Sequence, residues 1–391
     1  MRTGGERMMK LSFFGFGILS LTMAIPAQAI TFERACDRGD SITLAAVGDV
    51  LMHQPLQSQA YASRNSFGSI WSGIEDLIQA ADFAYANLEG PLANGVNKAG
   101  RSVKDPGMKF DGEVYSGFPL FNFHPILAWD LKEAGFDIVS TSNNHSIDRG
   151  PLGVDRTIEN LQSANLPFTG TRTVEQAKSG VRPWVTMTKK SGWSIAWIGC
   201  SFSTNGVADP HKQVLGCFRD ADEIEKTIQS LAKNPNVDAV IVTPHWGEVE
   251  YSHTVEKSQR ALAIRFLNAG AAGIFGNHPH VIKPWEKITT KDGRETFVIY
   301  SIGNFASNQS SLAKQSTAIV YLGLTKAPGQ KAWVNGATYV PLYMLRKPYE
   351  VVAVDRSDRA PREAAKLVAK YLGSERRISS RDRIETNPEC R

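Results

Sequence analysis

Long apolar runs are scarce in this 391-residue chain, and the one near the start is short. Arg2, Arg7 and Lys10 precede an apolar stretch over 11–25, which Pro26-Ala27-Gln28-Ala29 closes. A positive start, a short apolar core and a small-residue cleavage site read as a secretory signal peptide over residues 1–29, cut after Ala29. The stretch falls short of the ~20 residues that a membrane span needs. No cysteine follows the cleavage position, which argues against a lipoprotein anchor, and no later run is long enough to span. A secreted or periplasmic protein is expected.

Cysteine is also rare: Cys36, Cys200, Cys217 and Cys390 are the full set. No C-x-x-C occurs, so a thiolate metal site is not expected. In an oxidising compartment an even count permits disulfides. Cys200 with Cys217 would close a local loop, and Cys36 with Cys390 would tie the termini together. Charge of one sign is weak too. The formal net charge of +5 falls to +3 once the first 29 residues, with three basic and one acidic side chain, are set aside. No basic run with interleaved aromatics is present, so nucleic acid is not expected as a partner. Internal repeats and low-complexity tracts are absent. An apolar content of 42% supports a sizeable core.

What is present is an alternation of strand and helix. A buried-strand pattern over 41–47 ends in Gly48-Asp49-Val50. Apolar residues at helical spacing cover 70–81, and a second strand over 83–86 ends in Asn87-Leu88-Glu89-Gly90. A long Gly- and Asn-rich loop follows over 93–117; loops of that length often cover sites. A helix runs from His124-Pro125 to Ala134, with Gly135 as its C-cap. A strand over 136–141 ends in Asn143-Asn144-His145, and a helix covers 151–164. A hairpin is expected over 181–202, turning at 190–192. A helix over 220–233 and a strand over 237–242 lead to His245-Trp246-Gly247-Glu248. After a helix over 258–269, a short strand over 271–275 ends in Gly276-Asn277-His278-Pro279-His280-Val281. Strands over 297–305, 317–324 and 336–343 and a helix over 363–372 complete the order. The tail from 373 reads as loose unless Cys390 ties it down.

Each leading strand therefore ends in residues of metal-ligand type: Asp49, Glu89, Asn144 with His145, His245, then His278 and His280. An α/β sheet gathers such ends along one edge. Alone, Asp49 reads equally as a turn residue, Glu89 as a helix-start charge, and His145 or His245 as a hydrogen-bonded core histidine. Their recurrence at strand ends favours one shared site. Imidazoles mixed with carboxylates suit Zn, Mn, Fe or Ni better than Mg or Ca. Two such ions sharing a bridging carboxylate would clamp a phosphate-like group and activate a bound water. Asn304 reads either as a turn cap or as a hydrogen-bond partner behind the ligands. His53 and His253 read as ordinary polar residues, and Trp246 and Phe305 as packing. Glu248, Glu250 and Arg149 read either as pocket-lining groups or as solvated loop charges.

Six segments taken in order resemble the motifs of the CapA family: Gly48-Asp49-Val50, Asn87 to Leu92, Asn143-Asn144-His145, His245-Trp246-Gly247, Gly276 to Val281 and Tyr300 to Phe305. These are capsule or poly-γ-glutamate biosynthesis proteins related to calcineurin-like metallophosphoesterases. The resemblance implies an α/β metallophosphatase-like four-layer α/β/β/α sandwich with two mixed sheets. It implies a domain over 30–350, followed by a C-terminal helix and polar tail over 351–391. It also implies metal ligands at Asp49, Glu89 (the bridge), Asn144, His245, His278 and His280, with one or two Zn, Mn or Fe ions. His145 would be the off-metal imidazole that protonates the leaving group. Leu51 stands where metallophosphoesterases carry the histidine of Asp-x-His, so one metal site is expected to be a ligand short.

Three functions fit: a metal-dependent hydrolase of an anionic envelope polymer or phosphoester, a non-catalytic accessory factor in a polymer synthase or export complex, and a binding module for an anionic glycan or peptide.

Overall fold

The computed structural model describes residues 30–390; the expected signal peptide lies outside them. Two mixed sheets stack face to face. The first has eight strands, ordered Glu350–Ala353, Trp333–Leu345, Ser316–Lys326, Asp40–Val50, Phe83–Leu88, Ile138–Ser140 and Phe168–Thr169, with Asn304–Ala306 also pairing with Asp40–Val50. The second has six, ordered Thr186–Lys190, Trp193–Ser201, Ala239–His245, Gly273–Phe275, Glu295–Ile302 and Ile282–Thr289.

Strand side chains alternate between two faces, and here both faces are covered. In Asp40–Val50, Leu44 and Ala46 enter the core between the sheets, while Ala45 and Val47 face the outer core. In the second sheet, Trp197, Ile241 and Ile299 point to the shared core and Ile198, Val242 and Val298 to the outer one. Helices close both outsides: Leu127 and Leu131 of Ile126–Glu133 on the first sheet, and Ile228 and Phe266 of Ala221–Lys233 and Lys257–Ala269 on the second. This is the expected four-layer sandwich.

The strand expected over 297–305 is divided. Glu295–Ile302 belongs to the second sheet and Asn304–Ala306 to the first, and the chain crosses between them at Gly303, whose φ is +77°. Gly48 makes this possible: a Cβ there would stand 1.7 Å from the Gly303 carbonyl oxygen. The parallel registers then place Asn304, Asp49 and Asn87 abreast.

Other elements differ from expectation. The 70–81 helix is two 3₁₀ turns, Ser66–Ile70 and Ser72–Ile74, followed by a short helix, Glu75–Gln79. Ser72 and Gly73 are weak helix formers that interrupt the pattern. Helix Gln54–Ala62, with Pro55 in its first turn, and edge strand Ile282–Thr289 had no clear sequence signal. Pro284 is tolerated in that strand because only one side of an edge strand is paired.

Both disulfides form as paired in the sequence reading, Cys36–Cys390 and Cys200–Cys217. The tail is held: Ile378 N donates to Tyr339 O, and Thr386 Oγ1 donates to Asn335 Oδ1.

Candidate metal centre

The strand ends of both sheets meet at one edge of the sandwich. The first sheet supplies Asp49, Glu89, Asn144 and Asn304; the second supplies His245, His278 and His280. All seven are buried. The arrangement falls into two halves that share Glu89. In one, His245 Nε2 lies 2.9 Å from Asn144 Oδ1, 3.2 Å from His278 Nδ1 and 3.6 Å from Glu89 Oε1. In the other, His280 Nδ1 lies 3.1 Å from Asp49 Oδ2, and its Nε2 lies 3.8 Å from Glu89 Oε1. Asn304 Oδ1 is 3.0 Å from the same His280 Nδ1, behind the ring.

The histidine loop is held in unusual backbone geometry. His278 and His280 have φ of +102° and +58°. A side chain there costs about 1–3 kcal/mol per residue and persists only where the surroundings enforce it. Gly276 is one enforcement, since a Cβ there would meet Tyr300 O at 2.3 Å. Trp246 N donates to Asn277 O, and Asn277 N donates to Pro244 O, so the loop is stitched to the strand end that carries His245.

Neither Glu89 oxygen has a hydrogen-bond partner, although both are buried. Burial, and then the charge of Asp49, push the Glu89 carboxyl well above the usual range. His245 and His278 are driven well below theirs by burial and by neighbouring imidazoles, so both are neutral with a lone pair to give. His280 behaves oppositely: burial lowers it, but the Glu89 and Asp49 carboxylates outweigh that and raise it to about 9. A divalent transition ion fits this set. It would satisfy the orphaned Glu89 oxygens and bind the neutral imidazoles.

His145 stands beside the ligands. Its Nδ1 lies 2.8 Å from Asp148 Oδ2, and its backbone N–H donates to Asn143 Oδ1. Phe121 packs edge-on against the ring at 4.7 Å between centroids. This leaves Nε2 for proton exchange, the geometry of an oriented acid–base imidazole.

A family model described as bacterial capsule synthesis protein PGA_cap matches residues 43–309. The chain belongs to that family. The match covers every residue of the centre from Asp49 to Asn304. Among curated relatives, the PGA biosynthesis protein CapA of Bacillus subtilis (strain 168) is 27% identical over 289 residues, covering 73% of this chain and 69% of that protein. The capsule biosynthesis protein CapA of Bacillus anthracis is 26% identical over 292 residues, covering 72% and 63%. A solved structure described as a novel phosphatase of Mycoplasma pneumoniae superposes with a TM-score of 0.43 at 14% identity, over 78% of this chain and 95% of that one. Likeness at that level bears on no reaction and no substrate.

Several residues of this CapA-family chain take places that the sequence left open. Leu51 faces the outer core, so the position of the absent histidine is a packing position here. His53 Nδ1 lies 3.1 Å from Leu51 O and takes Asn308 N at 3.3 Å, so that atom is occupied by backbone. His253 stacks on Tyr371 at 4.2 Å, away from the ligands. Arg149 is neither pocket-lining nor solvated: it is buried and donates to the carbonyls of Val114 and Asp148 and to Ser116 Oγ, bracing the 113–120 loop. Trp246 and Phe305 are core residues. Asn87 and Asp148 were missed. Asn87 Nδ2 donates to Asp49 Oδ1 at 2.8 Å and lies 3.1 Å from His245 Nδ1, joining the two sheets behind the ligands. Its signal was the two-residue spacing to Glu89, which puts both on one strand face. A surface concavity of about 760 Å³ between helix Glu75–Gln79 and the 380–390 tail holds none of these residues.

Proposed function

We propose that this protein is an extracytoplasmic, metal-dependent hydrolase of capsule or poly-γ-glutamate biosynthesis, acting on an anionic envelope polymer or a phosphoester. The observation that carries the reading is Glu89. Its two buried oxygens have no hydrogen-bond partner, and Oε1 lies 3.6 Å from His245 Nε2 and 3.8 Å from His280 Nε2, one imidazole from each half. A buried carboxylate without hydrogen bonds is costly, and a divalent cation is the partner this donor set suits. When bound, such ions polarise the scissile group and acidify water. Asp49, Glu89, Asn144, His245, His278 and His280 would hold them. Asn304 and Asn87 fix the orientation of His280, Asp49 and His245. His145, oriented by Asp148, donates the proton to the leaving oxygen. The N-terminal pattern of a cleavable signal peptide supports an envelope location, and no described helix is long and apolar enough to cross a membrane.

The test is hydrolysis of phosphodiester and γ-glutamyl substrates by purified protein, before and after chelation, beside His278→Ala. Activity that survives both sinks the hydrolase reading. A second reading, a non-catalytic accessory factor in polymer synthesis or export, is favoured by Leu51 occupying the histidine position. Its mark would be surface polymer lost on deletion and restored by the His278→Ala variant.

A further inference from the structure

Leu51, two residues after Asp49, is turned into the outer core and offers the Asp49–His280 half no donor. Glu250 lies on the other side of the same imidazoles. One of its carboxylate oxygens and one ring nitrogen each of His278 and His280 all lie within 4.8 Å of one another. Asp49, Glu89 and His245 form a second such group, and His280 touches both Asp49 and Glu89. The two groups are therefore contiguous.

The loop that carries Glu250 is fixed on both sides of it. Val249 N donates to Glu256 Oε1 at 3.2 Å, and Glu248 N donates to Glu256 Oε2 at 2.9 Å. Glu256 is backed by Lys283, whose Nζ is fully buried 3.4 Å from Glu256 Oε1 and 2.8 Å from Gln259 Oε1. Gly247, at φ +114°, has Gln259 and Glu256 where a side chain would go. On the other side, Tyr251 N donates to Pro279 O at 2.9 Å, and the Tyr251 ring stacks on His280 at 5.9 Å. Tyr251 itself is held at φ +60°. A solvated loop charge would not need its backbone anchored to the histidine turn.

We propose that Glu250 is a metal ligand that joins His278 and His280 in holding a divalent transition ion, adding a carboxylate donor where Leu51 offers none. The orphaned oxygens of Glu89 independently mark the adjoining group, which His280 links to this one, as a cation site. Glu250 would bring the carboxylates to three, Asp49, Glu89 and Glu250, against two divalent ions. This rests on the metal-dependent reading above.

Calorimetric titration of Mn²⁺ into the intact, chelator-stripped protein tests it without reference to activity. Wild type should take up two ions. Glu250→Gln should lose tenfold or more in affinity at one site and leave the other unchanged, and Glu250→Asp should recover part of the loss. Glu250 is exposed, so an unaltered thermal melt of the stripped variant is the check that it folds. Equal binding by wild type and Glu250→Gln, whether of one ion or two, overturns the assignment and leaves the metal reading intact. No uptake by wild type overturns both.

Discussion

His145 Nδ1 and Asp148 Oδ2 are 2.8 Å apart, and both side chains are buried. Asp148 Oδ2 also accepts from Phe121 N at 2.7 Å, so the carboxylate is fixed before it fixes the imidazole. The pair is separate from the proposed metal ligands. If His145 is the acid, His145→Ala should lower kcat by roughly 10²–10⁴-fold. Asp148→Asn should lower it in the same direction, by at least about tenfold, through lost orientation. Metal content should not change in either variant. Steady-state kinetics with elemental analysis on the same samples checks both; loss of metal in His145→Ala would place that residue among the ligands instead.

The unpartnered Glu89 carboxylate should cost stability whenever no cation is bound. Glu89→Gln is expected to raise the stability of the chelator-treated protein by about 1–3 kcal/mol, because burial penalises the ionised carboxyl, which has no hydrogen-bond partner. The same variant should lose the response to metal. Wild type at a metal concentration of about 100 times Kd should gain about 2.7 kcal/mol, and Glu89→Gln should gain little. Thermal melts with and without added Mn²⁺ measure both. A Glu89→Gln protein less stable than wild type when metal-free would refute the argument.

Asp130 gives a pH signature far from the centre. It sits on helix Ile126–Glu133, and its Oδ2 accepts from Phe67 N at 2.8 Å. Burial pushes its carboxyl up to about 6 from 3.8, against the opposing effect of that hydrogen bond. The folded state therefore holds its proton more tightly than the unfolded chain. Ionised Asp130 then costs stability above about pH 6, and the cost fades as pH falls toward 4. Asp130→Asn should be more stable than wild type at pH 7.5 by about 1 kcal/mol, with the difference vanishing near pH 4. Denaturant unfolding at the two pH values measures it. A difference independent of pH would show that the carboxyl titrates normally.

The Cys36–Cys390 bridge joins residues 354 apart and pins a tail that otherwise holds by scattered hydrogen bonds. Replacing both cysteines with serine should cost about 2–5 kcal/mol. It should also open the segment from Gly373 onward to proteolysis. Limited digestion followed by mass analysis would detect it; an uncut tail would mean that contacts such as Arg376–Glu389 suffice.

Most of the architecture was legible because buried strands leave continuous apolar runs that end in polar motifs. Asp40–Val50, Phe83–Leu88 and Ala239–His245 announce themselves that way. What was hidden depends on contacts distant in sequence. The switch of sheets at Gly303 follows from its close approach to Gly48, a packing fact with no local pattern. Strand Ile282–Thr289 carries Pro284 and a mixed inward face, so its period is blurred. In the centre, residue types at strand ends named the candidate ligands that the fold brings together, whereas Asn87 and Asp148 hydrogen-bond to Asp49 and His145 and carry no ligand signal of their own. Glu250 was ambiguous because an exposed loop carboxylate looks the same whether or not two buried imidazoles lie behind it.

The central claim is that the joined strand ends form a metal centre. Elemental analysis of the purified protein, reconstituted with Zn, Mn and Fe in turn and freed of excess ion, tests it most directly. The account predicts two transition ions per chain, falling in His278→Ala. No ion retained from any of the three would contradict it.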